Sequence, residues 1–310
     1  MLRQFSFPMI QDFLSRHTTG LPVLALLLAT FFWGSSFITV ASALEYTNPL
    51  TLVMLRFALG AVIVALLLRG RIGGIPPRTW KAGAICGLII YLSYAFNAAG
   101  LMTLESSVSG FLTALYVPIT PLLVWVVYGK PPSAGAFFGV AMAFSGLVLL
   151  ANPFTLSFSN NAGEWMTILS AFLSALEIMV VGRFAPGTQA RQLAFTQLAS
   201  VTVFAALGLI LAEASGLPLK ETVLNRTVIL SVAWLAVLVG CVQVLLSWAQ
   251  RYVPAGRAAV IFAMESVFCA IIGWFAGEDL GVAGMLGGAL IVGGILMGEV
   301  QWKKKKGGPS

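Results

Sequence analysis

Hydrophobic residues run along this chain in ten long stretches: 21–43, 49–68, 81–102, 106–128, 134–152, 164–184, 190–212, 228–250, 254–275 and 280–299. Polar residues gather in the gaps. Each stretch is near the ~20 residues a helix needs to cross a bilayer core. The runs are continuous, unlike the alternating ten-residue segments of a membrane β-barrel. Lipid offers no partner to a free backbone N–H or C=O, so every stretch is predicted to be a helix. The pattern predicts an all-α membrane protein with ten transmembrane helices.

Composition agrees. The chain is 59% apolar and 9% charged, against about 25% charged in a soluble domain. The formal charge of +7 does not point to nucleic acid, because the basic residues are not clustered on a soluble module. They sort by loop instead. Counting alternate gaps from the N-terminal tail, one side carries Arg3, Arg16, Arg69, Arg71, Arg78, Lys81, Lys130, Arg183, Arg191, Arg251, Arg257 and Lys303 to Lys306; the other carries only Lys220 and Arg226. The positive-inside rule then predicts both termini in the cytoplasm. The apolar run after Arg16 and His17 exceeds the 7–15 residues of a signal-peptide core, so it reads as an uncleaved first span. Aromatic and aliphatic residues of the preceding tail suit a membrane surface, so membrane lipid is an expected partner.

The polar gap at 153–163 divides the chain into halves of five stretches each. A shift of 148 residues lays Gly139 on Gly287, Ala141 on Ala289 and Gly146 on Gly294. An odd number of spans per half inverts the second half in the membrane, an architecture common among secondary transporters. The expected organisation is a cytoplasmic tail at 1–20, a five-helix repeat at 21–152, an outer connecting loop at 153–163, a second repeat at 164–299, and a basic cytoplasmic tail at 300–310. Small residues four apart, Gly135/Gly139, Gly284/Gly288 and Gly294/Gly298, mark the fifth and tenth spans. They predict close helix contact, either within the chain or in a homodimer.

Three charges break the pattern. Arg56, Glu177 and Glu265 lie inside apolar runs, where a charge costs at least ~2.5–3.5 kcal/mol and marks a cavity or pathway. Glu265, near mid-depth, could bind a cationic group, carry a proton, or partner Arg56 or a neighbouring hydroxyl. Arg56, a turn or two from the membrane surface, could snorkel outward, pair with a glutamate, or bind an anionic substrate group. Glu177 shares a face of the sixth span with Ser170 and Ser174.

Polar faces recur elsewhere. The fourth span carries Ser109, Thr113, Tyr116 and Thr120 at helical spacing, with Pro118 and Pro121 predicting a kink or hinge. The hydroxyls either bond their own helix or line a cavity. The third span has Tyr91, Tyr94 and Asn97; the eighth has Gln243, Trp248 and Gln250; the seventh has Gln192, Thr196, Gln197 and Ser200; the first has Trp33 and Ser36. Aromatics and amides on one cavity suit a small molecule with an apolar body and polar groups, although an aromatic near a membrane surface is also an anchor.

Other chemistries lack their residues. Cys86, Cys241 and Cys269 all sit in apolar runs, and His17 is the sole histidine. No metal or other cofactor is expected. An intramembrane protease would need Ser with His or paired Asp at depth, yet Asp occurs only as Asp12 and Asp279. No Walker-type loop is present, so ATP is not the direct energy source.

Trp33-Gly34-Ser35-Ser36-Phe37, the Pro118 helix ending in Tyr128-Gly129-Lys130, and Glu265-Ser266 followed by Gly277-Glu278 resemble the EamA-like branch of the drug/metabolite transporter superfamily, over roughly residues 21–300. The resemblance implies ten helices in two inverted repeats, a cavity lined mainly by the first, third, fourth, sixth, eighth and ninth spans, and peripheral fifth and tenth spans. It implies alternating access and export of metabolites such as amino acids across the inner (plasma) membrane, as uniport, exchange or proton-coupled transport. Import, a channel and a membrane-embedded enzyme are the alternatives. Lys130 departs from the pattern, standing where such repeats often end in Glu.

Overall fold

The computed structural model describes residues 20–69, 71–104, 106–129, 131–151, 161–275 and 281–306. The N-terminal tail, Lys130, most of the 153–163 loop, Gly277-Glu278 and the last four residues lie outside the described residues. What is described is helical, without strands. The helices are α1 (Gly20–Leu44), α2 (Pro49–Leu67), α3 (Pro77–Leu101), α4 (Ser106–Thr113), α5 (Tyr116–Tyr128), α6 (Ala134–Ala151), α7 (Ala162–Phe184), α8 (Ala190–Ala214), α9 (Arg226–Ala249), α10 (Ala255–Phe262), α11 (Met264–Phe275) and α12 (Gly281–Lys306). Seven helical segments are long and apolar enough to cross a bilayer; α1, α6 and α12 carry shorter apolar runs.

Helix starts follow local chemistry. Asn48 caps α2 by accepting the Thr51 N–H at 2.9 Å, with Pro49 behind it; proline at this position loses no helical bond. Asn161 and Asn225 cap α7 and α9 in the same way. The outer faces carry large apolar side chains open to the surroundings, among them Val126 (80% exposed), Phe275 (78%) and Leu66 (73%). Such a surface is too apolar for water, and the chain is a multi-pass membrane protein.

Two predicted spans are broken. Between α4 and α5, Pro118 has no N–H to give the Ala114 carbonyl, which takes the Val117 N–H at 3.0 Å instead. Pro121 sits inside α5 without ending it. Between α10 and α11 there is no proline. There the Ala263 N–H turns to the Val260 carbonyl at 3.2 Å, a tighter bond than the α-helical one. Ala263 lies 148 residues after Leu115, so both breaks fall at the same point of the repeat. The last helix continues past 299 to Lys306; lysine forms helices well and suits the negative C-terminal end.

The packing pairs elements across the two halves, and each pairing has its counterpart. α1 packs on α9, and α7 on α3; α1 meets α11 while α7 meets α5. α2 packs on α9 as α8 does on α3, and α2 on α8, α5 on α10 and α6 on α12 pair like with like. The α6–α12 seam is the closest. A Cβ on Gly146 would lie 2.5 Å from the Gly287 carbonyl oxygen, and one on Gly294 would lie 2.5 Å from that of Gly139. Gly139, Gly146, Gly287 and Gly294 thus meet within the one chain.

Loop contacts brace both ends of the bundle, joining the two halves at one end and the α7–α8 and α9–α10 connections of the second half at the other. At one end Val223 donates to the Tyr46 carbonyl, the Thr47 and Thr222 hydroxyls meet at 2.8 Å, and Lys220 Nζ reaches the Leu44 and Glu45 carbonyls. At the other, Arg251 donates to the Ala185 and Thr188 carbonyls at 3.2 and 2.6 Å.

Candidate functional site

Most of the polar faces converge on one central cavity. It offers about 120 Å³ of space for the centres of water-sized molecules, against ~10–15 Å³ needed for one water. A small solute fits. Its walls come from α1 (Trp33, Ser36), α2 (Arg56), α3 (Ser93, Tyr94, Asn97), the α4–α5 break (Thr113, Tyr116), α7 (Ser170, Ser174, Glu177), α9 (Gln243, Gln250) and the α10–α11 break (Phe262, Glu265). Among the described residues, none of α6 or α12 lines it.

The two breaks meet here. Tyr116, first residue of α5, donates from its hydroxyl to Glu265 Oε2 at 3.5 Å. Each break frees backbone polar groups, which membrane proteins tolerate only against protein or a cavity. Thr113 does both things expected of the hydroxyl face: it donates to the Ser109 carbonyl at 2.7 Å and accepts from Asn97 Nδ2 at 2.9 Å. Thr120 bonds only the Tyr116 carbonyl of its own helix.

On the facing wall the Ser93 hydroxyl lies 2.8 Å from that of Ser174 and 3.3 Å from that of Ser170, joining α3 to α7 beside Glu177. Gln243 neighbours Glu177 and donates to Gln197 Oε1 at 3.1 Å, where Ser247 also donates. A polar network therefore runs from the cavity back into the α8–α9 contact.

Arg56 departs from two of its three expected roles. It is only 5% exposed, so it does not snorkel. No carboxylate among the described residues pairs with it. Its guanidinium lies over the Tyr94 ring at 4.4 Å and the Phe57 ring at 5.2 Å, and its buried Nε has no hydrogen-bond partner. Ring contacts stabilise a buried cation by ~2 kcal/mol, whereas desolvating it costs several. The charge is under-compensated.

Tyr91 and Trp248, both expected on the cavity, do not line it. Tyr91 turns away toward Gly208 of α8. Trp248 stacks edge-on against Tyr252 at 5.7 Å. A spacing of three puts Tyr91 and Tyr94 on similar faces, but the neighbour each meets decides its role. The Thr196 face of α8 packs on α3, its hydroxyl bonding the Thr79 and Leu193 carbonyls. Cys86 is buried and Cys241 exposed, both as free thiols. Ser93 was not singled out by sequence; its position four before Asn97 was the available signal.

Comparison with known proteins agrees with the helical, two-repeat fold. The profile of the EamA-like transporter family matches twice, over residues 20–152 and 161–298. An uncharacterized transporter of Archaeoglobus fulgidus is 27% identical over 249 residues, 79% of this chain and 74% of that protein. A solved crystal structure superposes with a TM-score of 0.74 over 91% of this chain and 98% of its own, at 20% identity; it supports the fold.

Proposed function

Since the chain belongs to the EamA-like transporter family, we propose that it is a secondary carrier exporting small metabolites such as amino acids by alternating access. The observation that carries this reading is the cavity, built from both repeats and holding all three intramembrane charges. Its ring-bearing walls (Trp33, Tyr94, Tyr116, Phe262) suit an apolar body, and Glu265, Glu177, Arg56, Asn97 and Gln243 suit polar ends. Thr113 and Ser36 complete the polar lining. In this reading the breaks by Pro118 and Ala263 are hinges. Pro121, within α5, is the second hinge residue of the Pro118 arm.

The proposed topology is ten spans in two inverted repeats, 21–152 and 164–299, with the 153–163 loop outside and both termini in the cytoplasm. The home of the protein is the inner (plasma) membrane. The charge asymmetry of the loops supports the orientation, and the paired packing of the halves supports the inverted repeat. A homodimer through α6 or α12 would use their outward faces, since their glycine faces already meet.

Purified protein in liposomes tests the carrier reading: counterflow of labelled amino acids should saturate. Unsaturable flux in every solute tried would favour a channel. Thiol labelling of cysteines placed near residues 220 and 304, from either side of intact cells, tests the orientation; both reporting from the same side overturns it. Efflux from preloaded cells against uptake distinguishes export from import.

A further inference from the structure

We infer that Arg56 is the carboxylate anchor of the cavity, so that the substrate must carry one singly charged anionic end. This rests on the carrier reading and names what the site demands of its cargo. Arg56 is buried, lines the cavity, and keeps its Nε without a partner, while Tyr94 and Phe57 hold the guanidinium plane in place. A planar fork held on ring faces is pre-organised for a two-oxygen anion. Neither Glu177 nor Glu265 spends that fork, although both line the same cavity.

The charges also set the kind of anion. One guanidinium shares the cavity with two carboxyl groups. A doubly charged phosphate would face about twice the repulsion that a single carboxylate meets from them. The cavity is therefore bipolar. Arg56 sits seven residues into α2, about 10 Å along that helix, and receives the carboxylate. Glu265, beside Tyr116 at the paired breaks, receives the cationic or hydrogen-bond-donating end. A solute with only an amine satisfies half of the site.

The test compares each common amino acid with its carboxamide, in thermal shift and counterflow, on wild type, Arg56→Gln and Arg56→Lys. Liposomes of phosphatidylcholine alone remove anionic lipid as a competitor, and a phosphate monoester series runs in parallel. The expected result is that the preferred acid outcompetes its amide about thirtyfold or more on wild type. Arg56→Gln should collapse that ratio toward one, and Arg56→Lys should retain part of it. Equal handling of acid and amide by wild type overturns the inference, as does an unchanged ratio in a folded Arg56→Gln. Arg56-dependent stabilisation by phosphate monoesters or anionic lipid in place of carboxylates also overturns it. If Arg56→Gln fails to fold, the wild-type ratio and Arg56→Lys still decide. Saturable counterflow restricted to solutes without a carboxylate sinks the anchor and leaves the carrier; saturable transport of no solute at all sinks both.

Discussion

Two pairs of helices, each joining equivalent parts of the two repeats, have taken opposite paths. α6 and α12 are unbroken and meet backbone to backbone through Gly139, Gly146, Gly287 and Gly294. The α4–α5 and α10–α11 pairs are broken at matching points, and the breaks face each other across Tyr116 and Glu265. One pair has no room for a side chain; the other leaves space for a solute. The comparison teaches that duplication fixed where helices meet, while small residues or helix breaks decided whether the meeting is closed or open. It also shows that a break at this point of the repeat does not require a proline, since Ala263 makes its own without one.

The largest effect is expected at the closed pair. Gly146→Leu would drive a side chain into the Gly287 backbone, which cannot move aside. Overpacking of this kind costs ~1–3 kcal/mol or more. Loss of monodisperse protein, or a strongly lowered melting temperature, is the expected readout; a wild-type melt would mean the seam is not the strut described.

At the open pair Glu265→Gln should fold normally but lose counterflow by about tenfold or more, the scale of a charged hydrogen bond at ~1.5–3 kcal/mol. Counterflow measured from mildly acidic to mildly basic pH checks this, and wild-type rates throughout would remove Glu265 from the mechanism. Tyr116→Phe takes away only the hydroxyl across the breaks. Its cost should be smaller, about 0.5–1.5 kcal/mol or a few-fold in rate.

The smallest effect is expected from Pro118→Ala. It restores an N–H to the first break, but the second break persists without any proline. Stability should shift by less than about 1 kcal/mol, and spin labels flanking residue 115 should report an unchanged angle. Straightening of the helix would show instead that the two breaks have different causes.

Much of the site was legible because membrane helices advertise polar positions. Glu177 with Ser170 and Ser174, Asn97, Thr113, Tyr116, Gln243 and Glu265 stood out against apolar surroundings, and all reach the cavity. What the sequence did not disclose is what lies opposite each face. Tyr91 and Trp248 have the composition of cavity residues but meet Gly208 and Tyr252. Arg56 was open to three fates, and only the packing of α2 against α3, which brings Tyr94 beneath the guanidinium, removed two of them. The break at Ala263 was invisible too, because neither its residue type nor its neighbours resist a helix.

The glycine seam also has a bearing on biogenesis. α6 ends the first half and α12 the second, so their contact joins segments separated by most of the second repeat. Contacts of such long sequence separation form late. The glycine face of α6 stays uncovered until α12 has been made. That interval is when a nascent chain is exposed to wrong partners, and a truncation before Gly281 would leave it so permanently.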